Sequence, residues 1–235
     1  MRLHSVVCFM LLGASAGWLP AASAADKDVA VLAKDEPRHR PKLENDYVRV
    51  LDVEIPAGYQ TLFHTHDLNY TYLMVNSALL QNEIPGKPGT VEIKIPAGLV
   101  GYYRASEGAY THRFTNIGGD TFRAIGIELM RPAPSPTVTA SLPESTGYAT
   151  VLDNERVRAY RVVLEPGQST PAVTLPGPSI RVAGTGGTLL QQTPGSEAIT
   201  TDLAPARFEF RAGSATHSLK NVGEARVEIY EFQLK

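Results

Sequence analysis

The sequence predicts an all-β fold built from two tandem copies of one unit. Apolar and polar residues alternate over short runs, as in residues 91–95 (VEIKI) and 125–129 (IGIEL). Alternation with a period of two is typical of strands that have one buried face. Glycine and proline interrupt these runs at short intervals, as in residues 85–89 (PGKPG). No long segment has the 3.6-residue periodicity of a helix.

The two copies are visible as an internal repeat. Residues 44–50 (ENDYVRV) correspond to residues 153–159 (DNERVRA), at an offset of 109. Three further pairs of segments recur in the same order: 56–60 with 166–168, 79–81 with 189–191, and 112–118 with 217–223. We therefore expect two related domains, at residues 42–130 and 147–235. Two unrelated immunoglobulin-like sandwiches are the alternative.

The remaining segments flank these domains. Residues 1–24 resemble a secretory signal, with a basic start, an apolar stretch and an Ala-Ser-Ala cleavage site at residues 22–24. We expect the mature chain to begin at Ala25 and to be exported to the periplasm or the medium; an anchor or a buried helix is the alternative. Residues 25–41 form a polar N-terminal extension, either disordered or paired as an edge strand. Residues 131–146 form a proline-rich linker.

Composition limits the classes of partner. The formal net charge is −2 and no basic patch is present, so nucleic acid is not an expected partner. No second apolar run predicts a membrane span. The only cysteine, Cys8, lies in the predicted signal, so the mature domains must be stabilised by core burial without a disulfide. A small-molecule ligand is the expected partner, and the sequence leaves a homodimer open.

Three histidines are candidate metal ligands. His64 and His66 occur in the pattern G-x5-H-x-H that begins at Gly58, and residues at i and i+2 of a strand point to one face. His112 opens the pattern H-x3-N with Asn116 on a later strand. Three neutral imidazoles that meet inside a barrel form an open-sided site for one divalent ion: Fe, Zn, Mn, Ni or Cu. Hydrogen-bonded core histidines are the alternative.

Strand parity places tyrosines beside these histidines. Tyr70 and Tyr72 lie an even number of residues after His66, and Tyr110 lies two residues before His112. We interpret Tyr72 and Tyr110 as substrate-binding residues and Tyr70 as the catalytic candidate. Tyr70 could also be an extra ligand or a side chain that fills space. A metal with tyrosines and an apolar lining suits a small organic ligand.

The glycine, the three histidines and Asn116 resemble the two motifs of the cupin superfamily. This resemblance implies double-stranded β-helix (jelly-roll) barrels in a bicupin, with a metal held by the three histidines. The family usually has a glutamate four residues after the second histidine, where this chain has Tyr70. The resemblance therefore does not extend to mechanisms in which that glutamate is a ligand or base. The ligand type is similar to that of cysteine-dioxygenase-like and diketone-cleaving cupins.

The second copy lacks most of this pattern. At the repeat offset, His64 and His66 correspond to Val173 and Leu175, and only His217 persists as the counterpart of His112. One imidazole between two aliphatic side chains cannot hold a metal against water. The sequence therefore predicts a degenerate barrel in which His217 is structural, and which stabilises the first barrel or binds an apolar ligand.

These observations favour a metal-dependent enzyme that carries out a dioxygenase-type oxidation of a small organic molecule. Two other functions stay open at this point. One is a non-catalytic protein whose metal organises a ligand pocket, and the other is a metal-independent sugar-type isomerase or epimerase in which histidine and tyrosine carry out acid–base chemistry.

Overall fold

The structure is a computed structural model in which residues 29–133 and 140–235 are described. The predicted signal, residues 1–24, and the centre of the predicted linker lie outside the described residues. Nearly all regular structure is β, which confirms the predicted all-β class. Short 3-10 turns occur at Ala33–Asp35, Ala105–Glu107 and Glu144–Thr146. Among the described residues, no helix is long and apolar enough to cross a membrane.

The first barrel consists of two five-stranded sheets. One sheet has the order β1-β4-β9-β6-β7 and the other has the order β2-β3-β10-β5-β8. The strands are β1 (Val31–Leu32), β2 (His39–Glu44), β3 (Val48–Ile55), β4 (His64–His66), β5 (Tyr70–Met74), β6 (Ala78–Glu83), β7 (Val91–Ile95), β8 (Val100–Tyr103), β9 (Tyr110–Asn116) and β10 (Phe122–Leu129).

Within the described residues, the second barrel repeats this arrangement without a counterpart of β1. Its sheets have the orders β11-β12-β19-β14-β17 and β13-β18-β15-β16. The strands are β11 (Tyr148–Asp153), β12 (Val157–Leu164), β13 (Val173–Leu175), β14 (Ser179–Ala183), β15 (Gly187–Gln192), β16 (Ile199–Leu203), β17 (Phe208–Arg211), β18 (Ala215–Asn221) and β19 (Val227–Leu234). The two sets of sheets are those of tandem jelly-roll barrels.

The same asparagine turn closes both barrels. The Asn116 side-chain amide donates to the carbonyls of Ile55 and Asp120, both at 2.8 Å, and its oxygen accepts the Gly118 N–H at 3.0 Å. Asn221 makes the corresponding three bonds in the second barrel. Both side chains are fully buried. The Asn116 side chain therefore holds its turn together.

Both faces of the central strands are buried, whereas their alternation had predicted only one. On β10, Ile125 and Ile127 point away from the first barrel and pack against the second, while Gly126 and Glu128 line the interior of the first. The inter-barrel core joins aliphatic side chains of β3, β5 and β10 to Tyr230 and Phe232 of β19 and their neighbours. The second barrel therefore covers an outer sheet face of the first.

The segment before residue 42 is part of the first barrel. β1 pairs in parallel with the histidine strand β4, with Val31 opposite His64. β2 pairs antiparallel with β3 and forms the edge of the second sheet. This segment therefore extends both sheets and brings its own side chains to the interior.

Candidate metal centre

The backbone register brings the three predicted ligands together. β4 pairs antiparallel with β9, and His64 lies directly opposite His112. His66 lies two residues further along β4, on the same face. All three side chains are buried. Their nearest ring nitrogens lie within 4.8 Å of one another, as a group that could hold a metal ion.

The hydrogen bonds of the imidazoles leave lone pairs free at the centre of this group. The Nδ1 of His64 lies 2.9 Å from the Leu62 carbonyl, and the Nδ1 of His112 lies 2.9 Å from Oδ1 of Asn82. Because both partners are acceptors, both Nδ1 atoms carry the proton and both Nε2 atoms are bare. The Nε2 of His64 is buried and has no hydrogen-bond partner in the described part of the chain, and the Nε2 atoms of His112 and His66 are 3.3 Å apart. A cation would satisfy these nitrogens, so the residues fit a divalent metal.

The electrostatics favour neutral imidazoles, which are the ligand form. Burial lowers the pKa of His64 to about 3 and that of His66 to about 2. Burial likewise holds the pKa of His112 well below its usual range, and the neighbouring histidines lower it further. A proton therefore does not compete with a metal for these nitrogens near neutral pH.

The histidines lie in the wall of a cavity of about 370 Å³, whose lining is mostly apolar. All three predicted tyrosines line the same cavity. The ring of Tyr110 stacks on His112 with centroids 4.6 Å apart, and its hydroxyl accepts a hydrogen bond from Asn82 at 2.8 Å. Tyr72 packs over Gly101, where an added Cβ would lie 2.2 Å from the phenol ring. The strand parity thus placed these side chains correctly, while their functional roles stay predictions.

Tyr70 lies against a histidine of the site. Its ring stacks on that of His66 with centroids 4.3 Å apart and an interplanar angle of 21°. Burial raises the pKa of the Tyr70 hydroxyl, and the nearby tyrosines raise it further. The side chain is therefore a neutral phenol, which donates hydrogen bonds well and coordinates a divalent ion poorly.

A fourth histidine was not anticipated from the sequence. His39 on β2 is buried and lines the cavity, with its ring centroid 4.4 Å from that of His64 and 6.2 Å from that of His66. Its Nδ1 lies 3.3 Å from Oε2 of Glu36, although not aligned as a hydrogen bond. Both residues belong to the polar extension, and no local pattern signals that this segment folds into the barrel.

Glu36 is a buried carboxylate that also supports the histidine strand. It accepts the backbone N–H of Arg38 at 2.5 Å and that of Leu62 at 3.4 Å. Burial acts to raise its pKa, but the adjacent His39 and the N–H donor outweigh burial, and the pKa is lowered. The carboxylate therefore contacts the backbone of Leu62, the residue whose carbonyl orients His64.

Glu128 is a second buried acid that was not predicted from the sequence, and it lines the cavity. Its carboxylate is 2.6 Å from Nη1 of Arg49, and its side chain is almost fully buried. Burial raises the pKa of Glu128, although Arg49 opposes the shift. The alternation of residues 125–129 predicts that Glu128 lies on the polar face of its strand. In the structure, that face of β10 lines the barrel interior.

The second barrel has an arginine where the first has room for a metal. His217 lies opposite Val173, as His112 lies opposite His64. The Nη2 of Arg181 donates to the Nε2 of His217 at 2.9 Å, and its Nε donates to Glu231 at 2.5 Å. The lone pair that could bind a metal is therefore occupied. Among the described residues, only the trio in the first barrel forms a candidate metal cluster.

Comparison with solved structures gives the fold of the chain. AerE from Microcystis aeruginosa has a TM-score of 0.56 at 13% identity, over 85% of this chain and 98% of that chain. An oxalate decarboxylase from Bacillus subtilis has a TM-score of 0.54 at 10% identity, over 88% and 79%. A cupin 2 conserved barrel domain protein from Leptotrichia buccalis has a TM-score of 0.50 at 10% identity, over 83% and 88%.

These likenesses establish the bicupin fold, with two cupin barrels in one chain. In sequence, no family model and no curated protein matches the chain. The fold is that of a cupin, and its three-histidine cluster could hold a metal ion.

Proposed function

We propose that the first barrel is the active site of an enzyme that uses one divalent metal to oxidise a small organic molecule with dioxygen. The observation that carries this proposal is the meeting of three buried, neutral imidazoles in the wall of a largely apolar cavity of about 370 Å³. Three neutral ligands leave the full charge of the ion available to attract an anionic group. The manganese centres named for Bacillus subtilis oxalate decarboxylase support a divalent ion on this fold.

The metal, when bound, supplies Lewis acidity and coordination positions for substrate and oxidant. The residues of the chain supply the other functions. Asn82 fixes the ring of His112 and the hydroxyl of Tyr110. The apolar walls exclude water, which strengthens polar interactions inside the cavity. Tyr70 keeps its proton and offers a hydrogen bond to an anionic substrate group.

The substrate that this cavity suits has one anionic or readily ionised group on an apolar body. Tyr72, Met74 and Phe114 are among the side chains that would contact the body. Glu128 and Arg49 neutralise each other, so they add no net charge to the site.

Export is the second part of the proposal. The order of a basic start, an apolar stretch and a small-residue cleavage site supports removal of residues 1–24. Intact-mass measurement of the protein from the periplasm or medium should give a chain that begins at Ala25. A species that retains residues 1–24 would contradict export by this route.

The decisive experiment combines metal analysis with oxygen uptake. We expect the exported protein to contain one divalent ion per chain, and the His112→Ala variant to contain none, because two imidazoles retain the ion poorly. His217→Gln in the second barrel is the matched control and should keep the full metal content.

Oxygen uptake is then measured for the metal-loaded protein with small carbonyl and phenolic compounds. Metal binding without any turnover would favour a non-catalytic binding protein. Isomerisation or epimerisation of a sugar without oxygen uptake, unchanged in His112→Ala, would instead favour a metal-independent isomerase or epimerase.

A further inference from the structure

We infer that the second barrel is a binding site for a small carboxylate, held by the guanidinium of Arg181 in a cavity of about 260 Å³. This site is separate from the metal centre and does not depend on the function proposed for the first barrel.

The cavity is the counterpart of the one in the first barrel. Arg181 lies opposite Glu231 in the pairing of β14 with β19, as Tyr72 lies opposite Gly126 in the pairing of β5 with β10. The second barrel therefore has the same open interior region, with a cation and an acid in place of a phenol and a glycine. The guanidinium of Arg181 occupies the position that the aromatic ring of Tyr72 occupies in the first barrel.

Arg181 has more donors than the protein satisfies. Three of its nitrogens reach an acceptor: Nε with Glu231 at 2.5 Å, Nη1 with Gln191 at 2.6 Å and Nη2 with His217 at 2.9 Å. A guanidinium carries five N–H groups, so two have no acceptor among the residues that the structure describes. Arg181 is only 5% exposed and lines the cavity. Unmatched donors on a buried cation are costly unless a ligand or water accepts from them.

The charges around the cavity leave a surplus of one positive charge. Arg181 and Arg207 line the cavity, with Arg207 at its exposed rim. A third arginine, Arg211, lies outside the lining and contacts Glu231 at 3.3 Å. The three arginines face two carboxylates. Glu231 is fully buried and lies between Arg181 and Arg211, and Glu209 is already paired with Arg211 at 3.2 Å.

His217 does not change this balance, because burial lowers its pKa to about 4 and it is neutral at physiological pH. The surplus favours a monoanion.

The remaining lining limits the shape of the ligand. It is part polar, with Gln191, Thr201 and Glu209, and part apolar, with Ala183, Leu189, Ile199, Leu203 and Phe208. A carboxylate has two oxygens, which together can accept from the two N–H groups of Arg181 that lack an acceptor. An apolar wall beside that group favours a short hydrocarbon tail. A short-chain monocarboxylate meets both requirements.

Butanoate is a suitable probe, with butanamide as the neutral control of the same size. The full mature chain is treated with a chelator, so that no metal in the first barrel competes for carboxylates. Binding is followed by the NMR shifts of the arginine Nε–H groups. We expect saturable shifts for butanoate and an affinity for butanamide that is lower by about ten-fold or more, since charge-assisted hydrogen bonds are the stronger kind.

Two variants test the assignment to Arg181. Arg181→Lys retains the charge but loses the forked donor, and should weaken butanoate binding by about ten-fold. Arg207 lies at the exposed rim, so Arg207→Gln leaves the buried hydrogen bonds of Arg181 intact. This variant should weaken butanoate binding several-fold. His66→Ala in the first barrel should leave the affinity unchanged. Circular dichroism checks that each variant is folded.

Equal affinities for butanoate and butanamide would overturn the proposal. The absence of saturable shifts at high millimolar butanoate would do the same. If Arg181→Lys does not fold, an unchanged affinity in Arg207→Gln is sufficient to reject the site, and so is loss of binding in His66→Ala.

Discussion

The Oδ1 atom of Asn82 lies 2.9 Å from Nδ1 of His112 and thereby determines which nitrogen of the imidazole carries the proton. The same amide donates to the hydroxyl of Tyr110 at 2.8 Å. One side chain on β6 therefore orients both a metal ligand and an aromatic wall of the cavity. Gln191 has the equivalent place in the second barrel, where it accepts from Arg181.

Replacement of Asn82 should weaken metal binding without removing a ligand. Partners that orient a ligating histidine typically contribute about 10- to 100-fold to metal affinity, and we expect a loss of this size for Asn82→Ala. A competition titration with a chelator measures it. Gln191→Ala is the matched control and should leave metal affinity unchanged. Equal losses in the two variants would mean that the amide acts through general stability and not through His112.

Tyr70 should control the binding of anions and leave the metal in place. Tyr70→Phe removes a hydrogen-bond donor but keeps the ring that stacks on His66. We expect full metal content and weaker azide binding, as measured by spectroscopic titration of the metal-loaded protein. Tyr70→Glu should bind the metal more tightly and azide more weakly, because a carboxylate cancels one positive charge. Loss of metal from Tyr70→Phe would show that the tyrosine itself is a ligand.

Acid should destabilise the metal-free protein between pH 6.5 and 5. His64 and His66 have pKa values of about 3 and about 2 in the folded state, below the usual 6.5. The unfolded chain therefore binds more protons than the folded chain below pH 6.5, and stability falls as the pH falls. Each such histidine contributes up to about 1.4 kcal/mol per pH unit.

Urea unfolding midpoints in the presence of a chelator test this pH dependence. The double variant His64→Asn with His66→Asn should lose less stability over the same pH interval. A midpoint that rises on acidification, or an equal loss in the double variant, would contradict the assignment of neutral buried imidazoles.

Glu36 should support the metal site from outside it. The carboxylate fixes the Leu62 N–H, and the Leu62 carbonyl orients His64 at 2.9 Å. We therefore expect Glu36→Ala to lower metal affinity by about ten-fold, as other partners of ligating histidines do. Glu54→Ala, on the solvent side of β3, is a control that should leave the affinity unchanged. Unaltered metal affinity in Glu36→Ala would show that this carboxylate has only a local structural role.

The sequence could predict the histidine trio because strand parity and motif spacing are local properties. His64 and His66 are two residues apart, and His112 aligns with His217 through the repeat. His39 and Glu36 could not be predicted, because only the pairing of β1 and β2 in three dimensions brings the polar extension to the site.

Glu128 and Arg181 escaped detection for a different reason. Alternation shows that a strand has two distinct faces, but it does not tell which face is the barrel interior when both are covered. On β10 the aliphatic face packs against the other barrel, so the acid points inward. The arginine network of the second barrel likewise depends on side chains from β14, β15, β17 and β19.

The core shared between the barrels has a consequence for any shortened form of this protein. Val48, Val50, Leu73, Ile125 and Ile127 of the first barrel are buried by their contact with the second. A chain that stops after residue 130 would retain every metal ligand and would still expose this apolar sheet face to water. Such a fragment would self-associate and would not work as a smaller metalloprotein. The second barrel thus keeps water from the apolar sheet face of the barrel that carries the candidate metal ligands.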